Sequence, residues 1–85
     1  MNITLKVFGI FREYINDEIQ IDIKDGSKLF NLKEYMYNNI LINNLTFLRP
    51  ILKKSIFSNK EEILSFNYIL KYNDEIYLLP PFSGG

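Results

Sequence analysis

In residues 18–39, EIQIDIKDGSKLFNLKEYMYNN, the spacing of apolar side chains changes from every second residue to every third or fourth. This change indicates the fold class. In the first part every second residue is isoleucine, at Ile19, Ile21 and Ile23, which is typical of a half-buried strand. The second part follows the turn sequence DGS at 25–27 and repeats its apolar residues at helical spacing. We therefore predict a strand, a tight turn and then a helix.

The helix after this turn has the clearest helical pattern in the chain. Leu29, Leu32 and Met36 fall on one stripe, which is the pattern of a helix that packs against a sheet. Ser27 is predicted to cap the first turn, because a serine hydroxyl can accept a hydrogen bond from an unpaired backbone N–H. The helix is expected to end at the asparagines of residues 38–39.

A second alternating run lies near the start of the chain. Residues 2–8, NITLKVF, place Ile3, Leu5 and Val7 on one face, and Gly9 ends the run. Because this strand and the one described above are close in sequence, we predict an antiparallel hairpin. Its connecting loop is long enough for a single helical turn.

The second half of the chain has weaker signals. Residues 40–54 are rich in apolar side chains without a clear period, and Pro50 excludes one long helix through them. We predict a variable connection there, with room for a short helical piece. Three further strands are predicted, at residues 55–58, 61–64 and 75–79.

The predicted order is therefore two strands, one main helix and three more strands. One helix lying on one face of a mixed sheet is an α+β arrangement, and this order has the outline of the β-grasp, or ubiquitin-like, fold. We predict a β-grasp domain over residues 1–79 and a flexible C-terminal tail over residues 80–85.

The composition excludes several classes of function. The 85 residues include ten basic and ten acidic side chains, so general binding to nucleic acid or to a membrane surface is not expected. The absence of cysteine and histidine removes thiolate chemistry, the commonest metal ligands and the commonest general base. Without a signal-peptide pattern or a long apolar run, we expect a cytoplasmic protein with no metal site.

The C-terminal segment is stiff, then aromatic, then free of side chains. Pro80 and Pro81 donate no backbone hydrogen bond, so the sheet must stop there. Phe82 can act as an anchor, while Gly84 and Gly85 allow another protein to approach their backbone closely. The pattern favours insertion of the terminal carboxylate into a partner's active site. The alternative is an interaction module with a frayed end, since glycine is common at such ends.

The last predicted strand offers a surface beside this tail. Tyr77 and Leu79 share one face of the strand, which is either core or, if the helix covers the other face, an apolar docking surface. In the docking interpretation Tyr77, Leu79 and Phe82 contact the partner. The neighbouring carboxylates Glu61 and Glu62 are interpreted as a solvated turn rather than an acid–base pair.

Residues 72–85, YNDEIYLLPPFSGG, resemble the closing segment of the MoaD family, the small, sulfur-carrying subunit of molybdopterin synthase. Members of that family typically end in a strand that leads to Pro-Pro-x-Ser-Gly-Gly. LKVFGIFREY at 5–14 is similar to the family's first strand and turn, and IDIKDGSKLFNLKEYM at 21–36 to its second strand, turn and helix. Asn73 replaces a usual glycine, and Phe82 replaces a smaller aliphatic residue.

The resemblance implies a sulfur carrier. Gly85 would be adenylated by a ubiquitin-activating-like adenylyltransferase and converted to a thiocarboxylate by a sulfur-donor system. The tail would then enter the large subunit of molybdopterin synthase and pass its sulfur to the pterin precursor. Gly84 would give clearance, and the preceding residues would guide the tail, namely Pro80, Pro81, Phe82 and Ser83.

This division of labour implies that the chain has no complete active site and no tightly bound cofactor. The adenylate and the thiocarboxylate would be transient covalent states, and the pterin-binding and catalytic residues would belong to the partner. Carriers for thiazole or another sulfur product, and ubiquitin-like modifiers joined to lysines, share the diglycine end. The Pro-Pro-x-Ser-Gly-Gly sequence favours the molybdopterin branch.

Overall fold

Five strands form one mixed sheet in the computed structural model, which describes residues 1–81. Across the sheet the strands lie in the order β2-β1-β5-β3-β4. Each strand expected from the sequence is present, although β3 and β4 are very short. The strands are β1 (Asn2–Val7), β2 (Glu18–Asp22), β3 (Ile56–Ser58), β4 (Ile63–Leu64) and β5 (Glu75–Leu79).

The central strands β1 and β5 run parallel, with Leu5 opposite Ile76 and Val7 opposite Leu78. β1 also pairs antiparallel with β2, where Leu5 lies opposite Ile19, and this confirms the predicted hairpin. β3 pairs antiparallel with both β5 and β4. Because β1 and β5 are parallel, their carboxyl ends reach the same edge of the sheet.

One face of the sheet is covered by α2 (Leu29–Asn39). Its stripe of Leu32 and Met36 is fully buried in the same cluster as Ile76 and Leu78 of β5. Burial of these apolar side chains supplies the main driving force for folding. The predicted α+β fold, a mixed sheet with one main helix on one face, is confirmed.

The start of α2 differs from the prediction. The hydroxyl of Ser27 donates a hydrogen bond to the Lys24 carbonyl at 2.6 Å, so it closes the preceding turn and does not cap the helix. The N–H of Leu29 instead donates to the Tyr68 carbonyl at 2.9 Å. The Ser27 cap was a wrong prediction, because a loop distant in sequence satisfies the helix terminus that a local side chain was expected to satisfy.

Residues 40–54 contain two short helices, a 3₁₀ helix at Asn43–Leu48 and α3 at Arg49–Lys54. Pro50 lies in the first turn of α3, where its missing N–H would have no intrahelical partner. It therefore excludes one long helix, as expected, but it also starts a helix. Leu52 of α3 is fully buried, so this segment is part of the core.

The loop between β1 and β2 contains α1 (Ile10–Tyr14), a single helical turn that buries Phe11. β5 ends at Leu79, where the predicted domain ends. The flexibility predicted for residues 80–85 stays a prediction, and residues 82–85 lie outside the described residues. From residue 1 to residue 81 no helix is both long enough and apolar enough to cross a membrane.

Candidate functional site

The candidate site begins where β1 and β5 end together at one edge of the sheet. Pro80 and Pro81 follow β5 directly at this edge, and Phe8 and Gly9 follow β1. The ladder stops here because proline has no N–H to donate. Four residues predicted for the site lie outside the described residues, namely Phe82, Ser83, Gly84 and Gly85.

The outer face of β5 lies opposite the helix. Ile76 and Leu78 are buried in the core, and the alternating residues Tyr77 and Leu79 point to the other side and are only partly buried. The predicted shared face of Tyr77 and Leu79 is therefore confirmed, and it is not the core face. Their role as partner contacts stays a prediction.

The strands beside β5 extend this face with apolar side chains that the sequence analysis missed. Ile56 of β3 lies opposite Leu79 of β5. In the next row across the sheet, Ser58 of β3 lies between Tyr77 of β5 and Ile63 of β4. Ile56 is 43% exposed and Ile63 is 66% exposed. The sequence offered no clear signal for them, because strands of three and two residues are too short for alternation to show which side faces solvent.

An aromatic side chain from the end of β1 completes the surface. The rings of Phe8 and Tyr77 meet edge to face, with their centroids 5.8 Å apart, a favourable arrangement. The guanidinium carbon of Arg12 lies 5.5 Å from the centroid of the Phe8 ring. We call this surface the outer apolar patch, and its members are Phe8, Ile56, Ile63, Tyr77 and Leu79.

Charged side chains border the outer apolar patch. The ammonium group of Lys6 lies 3.6 Å from a carboxylate oxygen of Glu75 and 3.9 Å from one of Glu18. Arg12 lies 3.5 Å from Asp17. Two cations and three carboxylates alternate here, so the border has no strong field of one sign and is suited to the polar rim of a protein interface.

The side chains whose pKa is shifted lie away from this edge. Burial and a hydrogen bond to Asp74 raise the pKa of Tyr68 to about 12, at the amino end of β5. Burial and the nearby Lys53 lower the pKa of Lys33, which lies on α2 across the sheet. Neither Tyr68 nor Lys33 therefore lies at the edge where Pro80 and Pro81 leave the sheet.

Two further predictions concern metal binding and the neighbouring carboxylates Glu61 and Glu62. Within residues 1–81, no three His, Cys, Asp or Glu side chains group together to hold a metal ion. Glu61 and Glu62 are exposed, and their backbone N–H groups both donate to the side-chain oxygen of Asn59, at 2.8 and 2.9 Å. This confirms the interpretation of the two carboxylates as a solvated turn.

The fold and this edge define a class, a small β-grasp domain whose last strand leads through two prolines toward a diglycine sequence. The chain belongs to the ThiS family, whose model matches residues 5–85. The expected resemblance is thereby confirmed at the level of the ThiS- and MoaD-like proteins. A search of curated proteins gives no significant match.

Solved structures with the same fold cover nearly the whole chain. SAMP1 from Haloferax volcanii superposes with a TM-score of 0.77 at 15% identity, over 100% of both chains. A putative molybdopterin converting factor, subunit 1, from Pyrococcus furiosus gives 0.74 at 18% identity, over 95% of this chain and 98% of that one. The complex of subunits 1 and 2 of molybdopterin-converting factor from Helicobacter pylori gives 0.69 at 22%, over 100% of both chains.

Proposed function

We propose that this protein is a cytoplasmic sulfur carrier that acts as the small subunit of a molybdopterin synthase. Its Gly85 carboxylate accepts sulfur, and its tail delivers that sulfur to a pterin precursor bound by a large subunit. The observation that carries the sulfur-carrier function is the family match, which extends to residue 85 and so includes the diglycine sequence. The Pro-Pro-x-Ser-Gly-Gly sequence at 80–85 supports the molybdopterin branch.

The proposed chemistry starts with activation of a carboxylate, which is a poor electrophile. An oxygen of the Gly85 carboxylate attacks the α-phosphorus of ATP, and pyrophosphate leaves as the acyl-adenylate forms. A sulfide equivalent from the donor system then attacks the acyl carbon, and AMP leaves. The product is a thiocarboxylate, in which one carboxylate oxygen has been replaced by sulfur.

In the delivery step the sulfur leaves the carrier and is bonded to the pterin precursor. The thiocarboxylate sulfur attacks an electrophilic carbon of the pterin precursor, and an oxygen substituent of that carbon leaves as the new carbon–sulfur bond forms. Water then attacks the acyl carbon of the resulting thioester, so the acyl–sulfur bond breaks, the sulfur stays on the pterin as a thiolate and the Gly85 carboxylate is returned. The adenylate and the thiocarboxylate are transient states of the chain. In this scheme the adenylyltransferase provides the ATP site, and the large subunit provides the groups that bind and orient the pterin.

The arrangement of the described residues supports this division of labour. Pro80 and Pro81 leave the sheet beside the outer apolar patch, so one partner surface can hold the patch while the tail extends past it. We propose that Tyr77 and Leu79, together with Phe82, contact the large subunit. A partner of this kind is named in the Helicobacter pylori complex of subunits 1 and 2.

A reconstituted reaction tests the pathway. The thiocarboxylated chain is mixed with a large synthase subunit and the cyclic pyranopterin precursor, and the pterin products are separated by chromatography. We expect dithiolene product in proportion to the carrier supplied, and none from carrier that lacks Gly85. Glu61→Gln is the control, since it changes an exposed turn outside the proposed contacts and keeps the terminal carboxylate.

Other results would assign another function. A thiocarboxylate that forms but never reaches the pterin would indicate a carrier for thiazole or another sulfur product. An amide bond from Gly85 to lysines of other proteins would indicate a ubiquitin-like modifier. A chain that is never activated would indicate a non-catalytic interaction module.

A further inference from the structure

The parallel pairing of β1 and β5 brings a glycine to the base of the tail. Val7 lies opposite Leu78, and the next residues on the same sides of the two strands are Gly9 and Pro80. This proximity joins positions that are 71 residues apart in the sequence, and it follows from the strand register.

Gly9 and Pro80 approach each other so closely that a side chain does not fit between them. A Cβ atom added to Gly9 would lie 2.7 Å from Cγ of the Pro80 ring, well inside van der Waals contact. The backbone of Gly9, with φ 61° and ψ −136°, is also in a region that suits glycine. Pro80 is partly buried by this packing, whereas Pro81 is exposed.

The turn that contains Gly9 is itself fastened to the fold. The N–H of Arg12 donates to the Gly9 carbonyl at 3.0 Å, and the N–H of Val7 donates to the Asp17 carbonyl at 2.9 Å. Phe8, the residue before Gly9, packs its ring against Tyr77. The surface against which Pro80 lies is therefore held in place by neighbours on both sides.

We infer that Gly9 is a positioning residue for the tail. Because Gly9 has no side chain, the Pro80 ring packs directly on the turn after β1. This contact fixes the direction in which the chain leaves the sheet. A side chain at residue 9 would push the proline ring outward and redirect the residues that follow. The inference rests on the proposed function, since the direction matters when a carboxylate must reach a partner's active site.

The contact can be tested without any partner. In NMR spectra of the whole chain we expect nuclear Overhauser effects between the α-protons of Gly9 and the ring protons of Pro80. The Pro81 ring should show none with Gly9, because it is exposed beyond the contact. Absence of the Gly9–Pro80 signals would overturn the inference, whatever the function of the chain.

The role of Gly9 in positioning the tail is tested by the rate of adenylation, measured as pyrophosphate release with an activating enzyme. A redirected tail should lower kcat and leave KM unchanged, since the docking face of the sheet is intact. We expect both Gly9→Ala and Pro80→Ala to lower kcat roughly tenfold, as for other displaced reacting groups. A loss that appears in KM instead would contradict the positioning role.

Double variants separate positioning from a general disturbance. Gly9→Ala should add little to the loss from Pro80→Ala, because both changes break one contact. In the matched cycle with Pro81→Ala, the factor for Gly9→Ala should remain roughly tenfold. An equal factor in both backgrounds would overturn the inference and leave the proposed function standing. If the wild-type chain forms no adenylate, the proposed function fails, and the positioning role fails with it.

Discussion

The outer face of the sheet has two halves that differ in how they meet solvent. On β1 and β2 the side chains are polar and bond to one another: Asn2 and Thr4 both donate to the Gln20 side-chain oxygen, at 2.9 and 3.1 Å. On β5, β3 and β4, together with Phe8 after β1, lies the outer apolar patch, in which Ile56 is 43% and Ile63 66% exposed. We call the first region the polar half.

The difference between the polar half and the outer apolar patch indicates that the exposed apolar side chains serve function rather than folding. The polar half shows that an exposed sheet face in this domain can be covered with hydrogen-bonding side chains. Exposed apolar side chains at the other half gain little from folding, since their surface stays in water. The outer apolar patch borders the edge at which Pro80 and Pro81 leave the sheet, so the face that we propose as the docking surface lies beside the proposed tail.

The largest expected effect on stability comes from a core side chain of β5, and its neighbour on the outer face of the same strand is the control. Leu78→Ala should lower the free energy of unfolding by about 2–5 kcal/mol, because it leaves a cavity in the core. Leu79→Ala, its neighbour on the outer apolar patch, should cost about 1 kcal/mol or less. Urea denaturation followed by circular dichroism measures both. Equal losses would show that the patch is part of the stabilising core.

The strands and one turn were predictable from the sequence because their signals are local. Alternation indicated the bounds of β5. Asn73, which replaces a usual glycine of the resembling family, has a φ of 64°, a left-handed conformation that asparagine tolerates better than most residues. Residues 40–54 were not predictable, because their buried leucines lie in three different local structures: Leu41 in a bend, Leu48 in a 3₁₀ helix and Leu52 in a short α-helix. A single helical period cannot describe all three.

The site was predictable only in part. Tyr77 and Leu79 could be placed on one face because β5 is long enough to alternate. Ile56 and Ile63 lie on strands of three and two residues, which are too short to show which side faces solvent. The contact of Gly9 with Pro80 depends on the register of two parallel strands at opposite ends of the chain, and no local pattern encodes that register.

A charge placed on each half of the outer face tests partner binding. Leu79→Asp should weaken binding to a large synthase subunit by about 2 kcal/mol or more, since it would bury an unpaired carboxylate in the interface. Gln20→Asp adds the same charge to the polar half and should have a much smaller effect. Calorimetric titration measures both, after thermal melting shows that each variant is folded. Similar losses from the two variants would contradict a docking role for the patch.

The pH dependence of stability should report on Tyr68, away from the outer face. Its folded-state pKa is raised to about 12 by burial and by Asp74, so its contribution is complete below the ordinary tyrosine value near 10. That contribution should be lost as the pH rises through about 12, the folded-state value. Denaturation curves of the wild type and of Tyr68→Phe should therefore converge with rising pH.

Asp74→Asn is the matched variant for this measurement. It keeps the Tyr68 phenol buried but removes the charge that Tyr68 faces at 2.8 Å. The alkaline loss of stability should then be complete at a lower pH than in the wild type. A difference between wild type and Tyr68→Phe that does not change with pH would show that the Tyr68 hydroxyl does not titrate differently in the folded chain.

The smallest expected effect is at the border between the two halves. Lys6 lies near Glu18 and Glu75 but is partly exposed, so Lys6→Gln should change the free energy of unfolding by less than about 1 kcal/mol. The change should shrink further in high salt. Lys60→Gln, on the exposed turn between β3 and β4, controls for the loss of one positive charge. A larger effect that salt does not reduce would place the Lys6 cluster among the main stabilising contacts.

The proposed function requires that Gly85 accept sulfur, and the intact mass of the chain reports this step. The protein is incubated with ATP, a candidate activating enzyme proven on another carrier, and a sulfur donor. We predict a mass gain equal to the exchange of one oxygen for one sulfur, located at Gly85 by fragmentation and absent when Gly85 is deleted. An unchanged mass under these conditions would contradict the carrier function.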